Sequence, residues 1–129
     1  MYLSEQTRET MKKNELGKKG EEIAGEFLIK KGYRILDRNW RHNSKEIDII
    51  AMENDSLVII EVKSRNHQFH EEPRDAVTVQ KQRFLIHAAD AYIRKNNLEN
   101  ETRFDVISVI FYPGSHEIEH IVGAFYPTL

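Results

Sequence analysis

Residues 45–65, KEIDIIAMENDSLVIIEVKSR, hold two dense apolar runs separated by the turn-like stretch ENDS. Short runs rich in Ile and Val and bounded by polar turn residues read as strands. Two such strands joined by so few residues must pair antiparallel, which commits the chain to a sheet with a buried surface. Asp48, Glu61 and Lys63 lie inside these runs rather than at their ends. Ionised groups are costly to bury unless something compensates them, so the hairpin raises a question that only a site or an ion-pair network answers.

With Asn54-Asp55 as a two-residue loop, or Glu53–Ser56 as a symmetric four-residue one, Asp48 falls opposite Glu61 and Glu46 opposite Lys63. Strand side chains alternate, so these four residues are expected on one face, and Ile47, Ile49, Ile60 and Val62 on the other. Directly opposed like charges are unfavourable, and two such carboxylates either share a proton or hold a cation between them. Lys63 supplies one positive charge. A divalent metal supplies more, and oxygen ligands without cysteine favour Mg²⁺ or Mn²⁺ over zinc. Such a set suits phosphodiester hydrolysis, with Lys63 orienting or deprotonating the water, or offsetting charge in the transition state. The plainer reading is a surface hairpin with an exposed Glu46–Lys63 ion pair and a solvated Asp48.

Around the hairpin the pattern predicts a helix over 15–31, ended by Gly32, and a strand over 33–40. The hairpin strands are 46–52 and 57–63, followed by a polar loop over 65–74. A second helix is expected over 75–96, a strand over 103–112, a turn at Pro113-Gly114, and at least one short strand within 116–126. The order α-β-β-β-α-β-β is an α/β sandwich, with a mixed sheet between two helices. Residues 1–13 are polar and unpatterned and are expected to be a flexible end; 14–129 are expected to form a single domain.

The 129 residues contain no cysteine, which excludes a disulfide framework and thiolate metal sites, and no apolar run approaches a membrane span. No secretory signal is visible, so the cytoplasm is the expected compartment. A net charge of −2 argues against a polybasic binder. The distribution is uneven, however: residues 1–45 carry +4 and residues 46–129 carry −6. A basic first third is compatible with an anionic partner, and equally with ordinary solvated charge.

Asp48 followed thirteen residues later by Glu61-Val62-Lys63 resembles the PD-(D/E)xK nuclease motif. The wider chain, over residues 16–126, resembles the YraN-type family of predicted endonucleases, related in fold to Holliday-junction resolvases and restriction enzymes. The carriers are Leu16-Gly17, Gly20-Glu21, Ala24, Gly32-Tyr33, Arg38-Asn39, Arg41, Glu46-Ile47-Asp48-Ile49-Ile50, Glu61-Val62-Lys63-Ser64-Arg65, Asp75-Ala76-Val77, Lys81, Arg103-Phe104-Asp105-Val106 and Ala124-Phe125. Two departures stand out: Lys45 occupies the place of a usual glycine, and Ile47 replaces the proline of the motif's name. The resemblance implies a restriction-endonuclease-like αβββαβ core, Mg²⁺-type metal use and nucleic-acid cleavage. By the same token Glu21, Asp48 and Glu61 would bind the metal, with Lys63 catalytic beside them. A homodimer is suggested by the two-fold substrates of resolvases.

Each further candidate has a plainer alternative. Glu21 is either the helix glutamate that reaches the metal or an exposed helix residue. Glu46 either supports the site or only pairs with Lys63. Arg41, Lys45, Arg65 and Lys81 are the candidate nucleic-acid contacts, Lys81 near the start of the second helix; Arg38 and Arg83 belong with them more weakly. Trp40 could stack a base, but partly buried core is the better reading. Lys12, Lys13, Lys18 and Lys19 form a basic run of the kind usually just solvated. His67, His70, His116 and His120 lack metal-ligand spacing and read as surface residues. Asp105, in an apolar strand, either bonds locally or supports the site. The functional expectation is a metal-dependent nuclease, with DNA, including branched DNA, as substrate. The alternatives are a non-catalytic nucleic-acid-binding or adaptor protein on the same fold, and a partner-binding domain with no nucleic-acid role.

Overall fold

The computed structural model describes the backbone of residues 5–68 and 77–127, and side chains from residue 13 onward within those spans. His70, Asp75, Ala76 and the side chain of Lys12 lie outside the described residues. The chain order is α1 (Glu5–Lys30), β1 (Arg34–His42), β2 (Lys45–Glu53), β3 (Ser56–Asn66), α2 (Val79–Lys95), β4 (Thr102–Tyr112) and β5 (Ser115–Phe125). The strands form one sheet in the order β1-β2-β3-β4-β5, with β3 and β4 parallel and the other neighbours antiparallel. This is an α/β fold compatible with a restriction-endonuclease-like core.

α1 covers one face of the sheet and α2 the other. Ala24 and Leu28 of α1 pack with Ile49, Ala51, Val58, Ile60, Val62, Ile107 and Val109. Leu85, Ala88, Ala89 and Tyr92 of α2 pack with Ile50, Leu57, Ile59, Phe104 and Val106. Strands covered on both faces read as continuous apolar runs rather than alternating ones, which is why 46–52 and 57–63 looked so dense. Each buried Ile, Leu or Val contributes about 1.5–3 kcal/mol relative to exposure, so the hairpin supplies a large share of the core energy.

The ends of the elements follow local chemistry. Gly32 takes φ of +94°, letting Tyr33 N–H reach the Leu28 carbonyl and Gly32 N–H that of Ile29, a Schellman termination of α1. α1 begins ten residues earlier than the expected 15 because Glu, Gln, Lys and Met extend a helix without needing an apolar stripe. α2 begins at Val79, not 75, because Thr78 caps it by accepting from Lys81 N–H at 3.1 Å. β5 runs the full span from Ser115 to Phe125 rather than forming a shorter strand. No helix among the described residues is long and apolar enough to cross a membrane.

The β2–β3 hairpin has the expected register, with Glu53 opposite Ser56 and Ile49 opposite Ile60, and Asn54 in the left-handed region. The ladder stops there, one step short of Asp48 and Glu61. Val62 N–H, which a continued ladder would direct to the backbone of Ile47, instead donates to Asp48 Oδ2 at 2.8 Å. The interruption also breaks the alternation. Ile47 packs in the α2-side cluster with Ile50, not on the α1 side with Ile49 as expected.

Candidate metal and nucleic-acid site

The break in the hairpin brings the acids together. β2 stays paired with β1 through Trp40–Ile47 and Arg41–Glu46, but it parts from β3 at Asp48. The gap is bordered by α1 on one side and by the first turn of α2 on the other. Glu21 arrives from α1, which lies so close to β3 at Gly20 that a Cβ there would collide with the Ser64 hydroxyl. A side chain at position 20 would have to push the Ser64 hydroxyl aside, so glycine suits this close approach, which sets the next residue over the sheet.

Ligand oxygens of Glu21, Glu46 and Asp48 all lie within 4.8 Å of one another. Glu61 reaches in from β3 and is 5 % exposed. Its Oε1 is 3.7 Å from Lys81 Nζ and 3.9 Å from Lys63 Nζ, while its Oε2 is buried with no hydrogen-bond partner among the described residues. The expected Glu46–Lys63 pair does not form. Glu46 meets Arg41 instead, at 3.4 Å, because the strands part before position 46 can face 63.

The electrostatics record the crowding. Burial, then the Asp48 charge, push the Glu21 carboxyl up to about 7, and the Asn39 amide partly offsets this. Burial, then Asp48 again, push Glu61 up to about 7 against the pull of Lys81 and Lys63. Burial also raises Asp48, opposed by the Val62 N–H and by Lys81. Near neutral pH the cluster therefore holds protons that a cation would displace. Its all-oxygen donors, with one orphaned carboxylate oxygen, match the preference of Mg²⁺ or Mn²⁺.

Asn39 is the residue that sequence reasoning placed only among the family carriers. With its amide nitrogen turned to the acids, it donates to Glu46 Oε1 at 2.8 Å and Glu21 Oε2 at 3.2 Å. Its φ of +51° makes this reach possible, and Asn is among the few non-glycine residues tolerant of that conformation. Asn beside Arg38 carried no spacing signal of its own.

The basic candidates divide. Lys81 and Arg41 touch the acids directly. Lys45 lies over the Phe84 ring, its Nζ 3.0 Å from the centroid. Arg65 continues β3 beyond Lys63 and is partly buried. Arg38 leaves the site and lies against Gly25 of α1. Trp40 is partly buried and packs edge-on against Tyr92, centroids 5.1 Å apart.

Asp105 bonds locally, in a second network. Arg103 donates to both its oxygens at 2.9 Å, Gly123 N–H donates to Oδ1 at 3.0 Å, and His120 Nε2 is 2.8 Å from Oδ2. Burial pushes Asp105 up, yet these bonds together hold it below the ordinary aspartate value. Arg103 also reaches Glu53 and the Tyr33 hydroxyl. His120 is a correction: its side chain is 4 % exposed, enclosed edge-on by Phe27 and Tyr33, not on the surface. A single polar residue in an alternating strand gives no sign that a partner waits on the neighbouring strand.

The fold and this end of the sheet define an α/β protein whose core is compatible with a restriction-endonuclease-like one and whose carboxylate cluster could take a metal ion. The chain belongs to the family described as "Uncharacterised protein family UPF0102", whose model matches residues 20–109. It is similar to a UPF0102 protein of Phocaeicola vulgatus, 46% identical over 116 residues, covering 90% of this chain and 96% of the relative. A UPF0102 protein of Parabacteroides distasonis is 41% identical over 115 residues, covering 89% and 95%. One of Chlorobium phaeobacteroides is 44% identical over 119 residues, covering 87% and 94%.

Proposed function

We propose that this protein is a metal-dependent nuclease that hydrolyses phosphodiester bonds, with DNA as its substrate. The observation that carries the reading is the convergence of Glu21, Glu46 and Asp48 oxygens beside Glu61 Oε2, which has no partner among the described residues. A buried carboxylate oxygen normally has a hydrogen-bond or ionic partner, and a bound cation would supply one to Glu61 Oε2. Asp48, Glu61 and Glu21 would hold Mg²⁺ or Mn²⁺, with Glu46 as neighbour and Asn39 fixing two of the carboxylates. When bound, such an ion polarises a phosphoryl oxygen and lowers the pKa of water.

The remaining work falls to the chain itself. Lys63, about a third exposed and 3.9 Å from Glu61, orients the attacking water or offsets charge on the phosphoryl oxygens. Lys81 keeps Glu61 from being wholly uncompensated and offers a cation to an incoming phosphate. Asp48 accepts the Val62 N–H and thereby keeps the strands parted, which leaves room for a substrate oxygen.

One observation favours a second reading, a nucleic-acid-binding protein without turnover: Lys63 and Lys81 already lie within 4.0 Å of Glu61 and compensate it without metal. A cleavage panel separates the two. Linear, nicked, branched and single-stranded DNA are incubated with Mg²⁺ or Mn²⁺. The nuclease reading expects wild type to cut at least one substrate and Asp48→Ala to cut none. Binding without cutting by wild type, under either metal, favours the second.

A further inference from the structure

A cavity of about 420 Å³ opens beside the acid cluster, between the β1–β2 turn and α2. This lies within the about 300–1,000 Å³ typical of small-ligand sites. Its floor is apolar, built from Phe84, Leu85 and Ala88 of α2, and its rim carries Ser44, Lys45, Glu46 and Lys81. Two rim residues belong also to the acid site: Glu46 is in the carboxylate cluster, and Lys81 lies 3.7 Å from Glu61. The cavity and the cluster are therefore two compartments of one cleft. A strand whose phosphate lies over the carboxylates places an adjoining nucleotide at the cavity mouth.

Resting on the nuclease reading above, we propose that this cavity receives one unpaired nucleobase of the substrate, stacked on Phe84, with Lys45 and Lys81 taking the flanking phosphates. An aromatic floor and cationic rim match a nucleotide, with its flat apolar face and anionic edge. Phe84 and Lys45 both line the cavity, and the Lys45 ammonium covers a face of the Phe84 ring, so a base reaches that face once Lys45 swings aside. Base stacking on an aromatic ring is at least as strong as an exposed cation–π contact, and the displaced Lys45 gains a phosphate, so an entering base can move Lys45 aside. A base inside an intact duplex is paired and stacked and cannot enter without being extruded. The site accordingly selects substrates that already carry an unpaired nucleotide, such as a flap or a single-stranded branch, over uninterrupted duplex.

The test is binding, read by fluorescence anisotropy in EDTA, so that no cleavage is required. A labelled duplex and the same duplex with a single-stranded flap are titrated with wild type, Phe84→Leu and Phe84→Trp. Phe84→Leu keeps the floor apolar but removes the ring. Wild type is expected to prefer the flap. Phe84→Leu is expected to bind the flap roughly tenfold more weakly, with duplex binding unchanged. Phe84→Trp is expected to retain the preference, its emission quenched by flap and not by duplex, and quenched by flap more than that of wild type, whose single indole is Trp40. Equal flap binding by wild type and Phe84→Leu overturns the proposal, as does an unquenched Phe84→Trp that binds the flap. Neither result touches the nuclease reading, which fails separately if wild type cuts nothing with either metal.

Discussion

Replacing Asp48 with Asn preserves the side chain's shape and an oxygen able to accept the Val62 N–H, but removes one charge from the acid cluster. In metal-free buffer near pH 8 the variant is expected to be more stable than wild type. Glu61 is pushed from 4.5 up to about 7, by burial first and by the Asp48 charge second. That displacement corresponds to about 3 kcal/mol, of which the Asp48 share is no more than half, roughly 1 kcal/mol. Glu21 is pushed up for the same two reasons, but it is more open to solvent and adds less. A gain of roughly 1 kcal/mol raises Tm by about 3–5 °C in a domain of this size. The sign also sets a pH window. A carboxyl whose folded pKa is raised stabilises the fold fully below its ordinary value of 4.5 and loses that contribution as pH rises through about 7. The advantage of Asp48→Asn should therefore shrink toward pH 5. Mn²⁺ reverses the order: at about 100-fold above its Kd it stabilises wild type by about 3 kcal/mol, and the variant little, for want of a ligand. Thermal denaturation followed by circular dichroism, in EDTA and in Mn²⁺, reads both effects. A variant less stable in EDTA, or one that gains as much from Mn²⁺ as wild type, refutes the reasoning.

Asn39→Gly keeps the left-handed backbone and removes both donors to Glu46 and Glu21. It should weaken Mn²⁺ binding by about 10–100-fold in calorimetric titration, as loss of ligand-supporting bonds does elsewhere. Mn²⁺ affinity of wild type should rise from about pH 6 to about pH 8, because Glu21 and Glu61, both raised to about 7, must release protons to coordinate; flat affinity over that range would contradict the pKa reading. Asp105→Ala leaves Arg103 and His120 facing a void and should cost about 3–5 kcal/mol in urea denaturation. Unlike Asp48→Asn, it should leave the Mn²⁺-induced shift of whatever folded protein remains unchanged.

The order of elements and the hairpin register were legible because both rest on local signals. Apolar runs, the turn at Asn54 and the stop at Gly32 act over a few residues, and each carries its own signature. The parting of the strands at Asp48 was not legible. It depends on a side chain outcompeting a backbone carbonyl for the Val62 N–H, and nothing in a strand pattern announces that exchange. The consequence is concrete: Glu46, expected to face Lys63, joins Glu21 and Asp48, while Glu61 turns its Oε1 toward Lys81 on the second helix. His120 and Phe84 were hidden for a related reason. Their roles come from neighbours far away in sequence, Asp105 and Phe27 for one and Lys45 for the other. Helix boundaries moved where propensity or a cap, not apolar periodicity, decided them.

The most direct measurement compares wild type and Lys63→Ala on flapped DNA in Mn²⁺, following cleavage and, separately, Mn²⁺ binding. On the proposed nuclease reading, Lys63 acts on the reaction rather than holding the ion. Lys63→Ala should bind Mn²⁺ nearly as wild type does and cut at least about 100-fold more slowly, in keeping with the loss of a positioned acid–base or charge-stabilising group. Equal cleavage by the two proteins, or Mn²⁺ binding by wild type with no cleavage of any DNA, would contradict a carboxylate metal site working with Lys63.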